Sequence, residues 1–412
     1  MRSSPLWNSQ STTFSILLAA SAAAFAASCE RVTFFSTNPA PTAPSQGGGT
    51  APPASRAAAL EAVAACSVEM YDGFRSAAAA LSAAADAAAA DPAELDEARD
   101  AWIEAMDVWQ RAELFQFGPV APATFPGGLD LHDRIYSWPL VSRCLVEQTL
   151  VSKAYESPDF TATALVNQQG LAAAEYLLFY AGTDNACSAA SSINSSGKWA
   201  ALTHQELAAH KAAYVAVVSA AVAAQAEKLA KAWSPEGENF QAQLAHPTSG
   251  TVYTSEQAAL NAVSDALFYL EHTVKDAKLA RPLGLIDCTE TSCPDALESK
   301  YAHHSKQHIR NNLLGFRMLV MGCDDGEGVA FDDLLVAAGA KPVADKLVSA
   351  IDGALAAADA IAEDDLAVAL STERAHVENL HKAIKAITDV LKTSFTSVLD
   401  LDLPSRVEGD ND

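Results

Sequence analysis

Asp91-Pro92-Ala93-Glu94, followed by Leu95, Ala98, Trp102, Met106 and Trp109, sets the fold class. Apolar residues recur there at three- and four-residue steps, the period of one helix face and not the alternation of a strand. The tetrapeptide ahead of them is a helix start. An acidic N-cap, proline at the first helical position and glutamate at the third supply what the first-turn amides lack. A helix with one apolar stripe buries it only against partners of the same kind.

Such partners lie on both sides. Upstream, Leu60, Val63, Tyr71, Phe74 and Leu81 make a stripe; downstream, Thr203-His204-Gln205-Glu206 opens a helix carrying Leu207, Tyr214, Val217 and Val218. Thr254 through Gln257 opens another, with Leu260, Val263, Leu267 and Leu270, and the last long stripe is Leu380, Ile384, Ile387, Leu391, Phe395 and Val398. No alternating β-branched run competes with them. The chain is 50% hydrophobic but 7% aromatic, so its core is built from Ala, Leu and Val, a composition that favours helices. Pro, Gly and polar residues from Trp233 to Ser255 interrupt the pattern and suggest an N-terminal bundle over 56–235, a linker over 236–255, a C-terminal bundle over 256–403 and a disordered tail over 404–412. The expected fold is therefore all-α, two packed four-helix-bundle subdomains, with a ligand to be sought in the seam between them.

The amino terminus has a different character. Arg2 precedes an uncharged stretch, Phe14 to Phe25, too short for a stable membrane span, and residues 1–28 read as a secretory signal. Phe25-Ala26-Ala27-Ser28-Cys29 leads through small residues to a cysteine, the pattern of a lipidation site at Cys29, although Ala26 stands where leucine is usual. A plain small-residue cleavage site is the alternative. Residues 29–55, rich in Pro, Ser, Thr and Gly, read as a disordered tether. Glu30 lacks the aspartate associated with inner-membrane retention, so the expectation is a lipid-anchored protein on the periplasmic side of the outer membrane. Beyond the signal, no stretch reads as long and apolar enough to cross a bilayer.

Six further cysteines, an even number, suggest disulfides. Cys288 and Cys293 flank a four-residue loop and suit a small ring, while Cys187 suits pairing with Cys144 or Cys66. Zinc is the rival reading, though no C-x-x-C pair occurs. Acidic residues outnumber Lys and Arg by 51 to 27, a net charge of −24, which argues against nucleic acid as a partner.

Several segments resemble a known family. Ala101-Trp102, Trp109-Gln110-Arg111-Ala112-Glu113, Phe117-Gly118-Pro119, Arg134-Ile135 and Ser137-Trp138-Pro139-Leu140 are similar to the first half of imelysin-like, M75 peptidase-type envelope proteins. Gly170-Leu171-Ala172-Ala173-Ala174-Glu175-Tyr176-Leu177-Leu178 resembles the segment bearing that family's Gly-x-His-x-x-Glu motif. Lys278-Leu279, Pro282-Leu283-Gly284 and Ser305 through Asn312, with Leu313 and Gly315, are similar to the second half, so the likeness runs from about residue 57 to about residue 400. The resemblance implies two helical bundles, an envelope location, a connection with iron acquisition and a peptidase label taken from one protein-cleaving member.

In the motif, His and Glu three residues apart share a helix face and can converge on one cation. Here the His position is Ala172, which has no donor atom, and Glu175 alone makes a poor metal site. A zinc peptidase needs about three protein ligands, and His-Glu-x-x-His is absent. Glu175 therefore either holds a divalent or iron cation with distant partners or pairs with Arg134 or Arg111 inside the bundle. The candidate pocket comprises Glu175, Gly170, Glu113, Arg134, Trp138 and Ser305. His304 and His308, one turn apart, form a second candidate metal pair, set against a solvated polar face that includes Tyr301 and His303. His376, Glu378 and His381 read as another such face. Asp324-Asp325-Gly326-Glu327 with Asp332-Asp333 reads as a connecting turn without EF-hand spacing. Trp102, Trp109 and Trp138 read either as lining a pocket or, from their place on helical stripes or beside Pro139, as core. Three functions stay open: a non-catalytic ligand- or metal-binding accessory protein in iron uptake, an M75-type metallopeptidase, or a scaffold docking an outer-membrane transporter or redox partner.

Overall fold

The computed structural model describes residues 54–323 and 328–407. The signal, Cys29, the tether up to residue 53, the acidic run 324–327 and residues 408–412 lie outside the described residues.

Helix α1 (Arg56–Ala90) starts where the Ser55 side chain accepts the Ala58 N–H. Asp91 then caps the next segment by accepting from Ala93 N, but the chain makes one 3-10 turn over Pro92–Glu94 before α2 (Leu95–Ala112). Trp102, Met106 and Trp109 of α2 are buried, as the stripe requires. There follow α3 (Arg143–Ser152), α4 (Gly170–Phe179) and α5 (His204–Trp233). The reciprocal Thr203 and Glu206 capping box fixes the start of α5. Helix α6 (Glu256–Leu267) is capped by Ser255 and runs on into π-helical turns over Leu270–Ala280. The remaining long helices are α7 (Ser305–Met321), α8 (Lys341–Asp359) and α9 (Arg374–Val390), and no strand occurs among the described residues.

Packing follows the stripes. Helices α1, α2, α4 and α5 touch one another in a closed ring, and α7, α8, α9 and the π-helical segment touch in a second ring. Helix α7 packs on α2 and joins them. Gly315 makes that approach possible, since a Cβ there would lie 2.3 Å from the Arg111 carbonyl oxygen. One apolar core runs through both rings, and the described residues form one compact unit.

Two segments are more ordered than their composition suggests. The interruption at 236–255 contains a helix, Phe240–Ala245, whose buried Phe240 packs 5.0 Å from the Trp233 ring, so this stretch belongs to the core. Of the expected disordered tail, Ser405–Val407 forms a 3-10 turn with Val407 buried and Arg406 paired to Asp265 at 2.9 Å. Helix α5 is long and apolar enough, by length and composition alone, to cross a membrane, contrary to the sequence reading. Alanine raises its hydropathy without making it a lipid-facing cylinder; it packs between α1 and α4 with Tyr214, Val218 and Val222 buried.

All six cysteines of the described chain are paired, as Cys66 with Cys323, Cys144 with Cys187 and Cys288 with Cys293. The zinc reading therefore has no thiolates to use.

Candidate functional site

Gly170 opens α4 at φ +79°, and a Cβ there would lie 2.8 Å from the Ile135 carbonyl oxygen. Only glycine combines that left-handed conformation with so close an approach. It seats the first turn of α4 against the 131–135 turn and aims the next residues of the motif inward. Ala172 and Glu175 then line a cavity of about 240 Å³ together with Trp138, Arg143, Arg281, Lys300 and Tyr301.

The Glu175 carboxylate does not depend on an arginine. Its Oε1 accepts the backbone N–H groups of Tyr301 at 2.8 Å and Ala302 at 3.1 Å, and the Arg134 side chain is exposed. The salt-bridge reading fails because the 295–302 strap supplies two amides where a guanidinium was expected. Burial raises the Glu175 pKa to about 7, against the lowering effect of the two amides. A carboxyl poised there can be neutral or charged near neutral pH.

The strap has a second face. Leu297 and Ser299 line the Glu175 cavity, while Glu298 between them turns into a sealed cluster. There the Lys278 ammonium lies 2.7 Å from Gln110 Oε1, 2.7 Å from Asn312 Oδ1, 3.0 Å from Glu298 Oε1 and 3.5 Å from Glu113 Oε2. Tyr136 donates its hydroxyl to Glu298 at 2.7 Å, and Gln110 donates its amide at 3.1 Å. Burial opposes ionisation of Glu298, but Lys278 and its other partners hold it at about 2. His132 bridges Glu113 at 3.0 Å and Asp133 at 2.9 Å. Burial works against its charge, yet the hydrogen bonds to Asp133 and Glu113 raise its pKa to about 9. An ammonium occupies the middle of this oxygen ring, where a metal would otherwise be drawn.

The proposed histidine pair takes no metal-binding arrangement. His308 is fully buried, 3.3 Å from Glu298 Oε2 but too poorly aligned for a hydrogen bond, and burial lowers its pKa so that the ring is neutral. The solvated-face reading is thus wrong for His308, because α7 turns that position into the α2 contact. His304 bonds instead to Asp107 at 3.0 Å, and the exposed His303 reaches Asp365 at 2.7 Å. Among the described residues, no three His, Cys, Asp or Glu side chains converge on a possible metal position. The donor set at Glu175 does not fit a resident metal either, since Ala172 offers nothing and the carboxylate is engaged by amides.

Of the sequence candidates, Glu175 and Trp138 share the cavity and Gly170 positions it. Glu113 belongs to the sealed cluster, where Ser305 also bonds to the Glu298 carbonyl. Arg134 joins neither site. Sequence reasoning missed Glu298, Arg143, Arg281 and Lys300; apart from Arg143 on α3 they lie in connecting segments, where periodicity gives no signal. Lys278 was quoted for its resemblance alone, and its signal is a cation on the inward face of an amphipathic stretch.

Arg143 forms the rigid wall of the cavity. Its guanidinium lies 4.1 Å from the Tyr180 ring centre and bonds to Glu147 at 2.7 Å and Asp184 at 2.8 Å. The Cys144–Cys187 disulfide fixes the Asp184 loop beside it.

Comparison with known proteins agrees with this architecture. The family model for imelysin, Peptidase M75, matches residues 67–392. Iron-regulated protein A of Synechococcus elongatus is 24% identical over 245 residues, which span 59% of this chain and 56% of that relative's own length. The crystal structure of an imelysin-like protein from Psychrobacter arcticum superposes with a TM-score of 0.63 at 19% identity, covering 85% of this chain and 96% of that one. A putative iron-regulated protein A precursor from Parabacteroides distasonis does so with a TM-score of 0.63 at 17% identity, over 85% and 97% of the two chains. At such identities these likenesses establish the fold alone. With the family match spanning most of its helical unit, the chain belongs to the imelysin, Peptidase M75, family.

Proposed function

We propose that this imelysin-family protein is a non-catalytic, ligand-binding accessory protein of iron handling at the bacterial envelope, held to the membrane by a lipid on Cys29. The observation that carries the non-catalytic part is Ala172 beside Glu175 in the cavity wall: the motif position that would complete a metal pair bears a methyl group, and the remaining carboxylate is held by backbone amides. A metallopeptidase needs a metal-activated water and about three ligands, and the described residues supply no such set. The iron connection comes from a relative and a structural neighbour described as iron-regulated. Outer-membrane attachment and a transporter or redox partner follow from the Cys29 reading and the family resemblance.

The purified full chain is incubated with casein, with and without chelator, and with radioactive iron as the aquo ion and as the citrate complex. The expected result is no proteolysis that responds both to chelator and to Glu175→Ala, together with saturable retention of one iron species. Chelator-sensitive cleavage abolished by Glu175→Ala overturns the non-catalytic reading; failure to retain either iron form overturns the iron reading. Metabolic labelling with palmitate checks the anchor, and a Cys29→Ala chain that keeps the label removes it.

A further inference from the structure

The cavity at Glu175 is electrically inverted relative to its protein. Acids outnumber bases 51 to 27 in the chain, yet this wall brings together Arg143, Arg281 and Lys300 against Glu175 and Asp295. The Asp295 side chain is fully exposed, and its carboxylate contacts Lys300 at 3.6 Å from the solvent side. Arg143 is held in place by Glu147 and Asp184 and lines the cavity as a cation already engaged within the protein. Arg281 is different: among the described residues its side chain has no hydrogen bond or ion pair. A guanidinium with free donors is a planar fork matched to a carboxylate.

Size narrows the ligand further. A cavity of about 240 Å³ holds roughly eight water volumes at ~30 Å³ each, too little for a folded peptide segment. Its apolar contribution comes from Ala172, Val141, Val146 and Leu297, with Trp138 and Tyr301 as flat walls. At the motif position a histidine would have projected a ring into this space, whereas Ala172 leaves it open.

We propose that the cavity receives a small anion bearing two or three carboxylates, either free or as the outer face of a metal chelate, with Arg281 and Lys300 as the recognising cations. The proposal rests on the ligand-binding reading above and names the ligand class for the same site. Glu175 contributes a carboxyl anchored by the Tyr301 and Ala302 amides, which in its protonated form donates a hydrogen bond to the incoming carboxylate. Arg143, stacked on Tyr180, lines the same cavity.

Isothermal titration of the full chain with citrate, ferric citrate, inorganic phosphate, zinc and anaerobic ferrous ion tests this. The expected result is saturable citrate or ferric citrate binding that weakens at least tenfold in Arg281→Gln and in Lys300→Gln. Arg310→Gln, which removes a surface pair to Asp359 on α8, should leave it unchanged. Thermal melting of each variant separates lost binding from lost folding. Citrate binding without ferric citrate binding supports the ligand class and counts against the iron reading. Saturable ferrous binding without either citrate form overturns the ligand class and leaves the iron reading standing, and zinc binding alone overturns both. Phosphate binding as tight as citrate, affinity unaffected by Arg281→Gln, or no binding of any probe also overturns the class.

Discussion

Two buried carboxylates that meet at the 295–302 strap behave in opposite ways. Glu298 points from the 295–302 strap into a sealed ring around Lys278, whereas Glu175 meets the same strap from α4 and faces an open cavity. In the ring, ammonium, amides and hydroxyl neutralise the charge within the protein. At the cavity, burial raises the carboxyl's pKa to about 7, and Arg281, which lines the same cavity, has no partner among the described residues. The contrast teaches that a buried ion is not in itself a binding site. What distinguishes the second place is recognition capacity left over after folding.

That contrast can be broken in four ways. The largest effect is expected for Lys278→Ala, which leaves Glu113 and Glu298 buried without their shared cation; the loss should be about 3–5 kcal/mol in urea unfolding. A loss near zero would mean that the ring does not carry its charges in the fold. Gly170→Ala combines a positive φ with a contact to the Ile135 carbonyl and should cost about 1–3 kcal/mol, read from the denaturation midpoint. An unchanged midpoint would show that the α4 entry can relax.

Acidity sharpens the difference by sign. Glu298 lies below its ordinary 4.5, at about 2, so its stabilisation is present above 4.5 and is lost as pH falls towards 2. Glu175 lies above 4.5, at about 7, so the fold binds the extra proton and its contribution declines as pH rises from 4.5 to 7, then levels. Melting curves across that range should show Glu298→Gln flattening the acid limb and Glu175→Gln flattening the neutral one. The same slope in both variants would erase the distinction. The smallest effect belongs to Arg281→Gln, expected to change stability by less than about 0.5 kcal/mol because its guanidinium makes no hydrogen bond or ion pair among the described residues. A large loss would place Arg281 in the structure's own framework instead of in ligand recognition.

The fold was legible wherever chemistry repeats along the chain. The Trp102, Met106 and Trp109 stripe, the Thr203 and Glu206 cap and the Cys288 and Cys293 ring each depend on residues close in sequence. The site was legible in part. Gly170, Glu175 and Trp138 were found through a motif, but Glu298 and Arg281 sit in connections whose destination is set by packing far away. His308 was misread because its polar ring suggested solvent, whereas its position on α7 places it opposite Trp102, 6.2 Å between ring centres. Polar residues are placed by the helix they ride on, and that register is fixed only when the partner helix is known.

The Cys66–Cys323 bond joins α1 to the end of α7 across 257 residues of sequence. A chain delivered amino end first presents the Cys66 thiol long before its mate arrives. This bond spans more sequence than the other two disulfides, so a chain that ends before residue 323 lacks the partner of Cys66 and cannot make this link between the two rings.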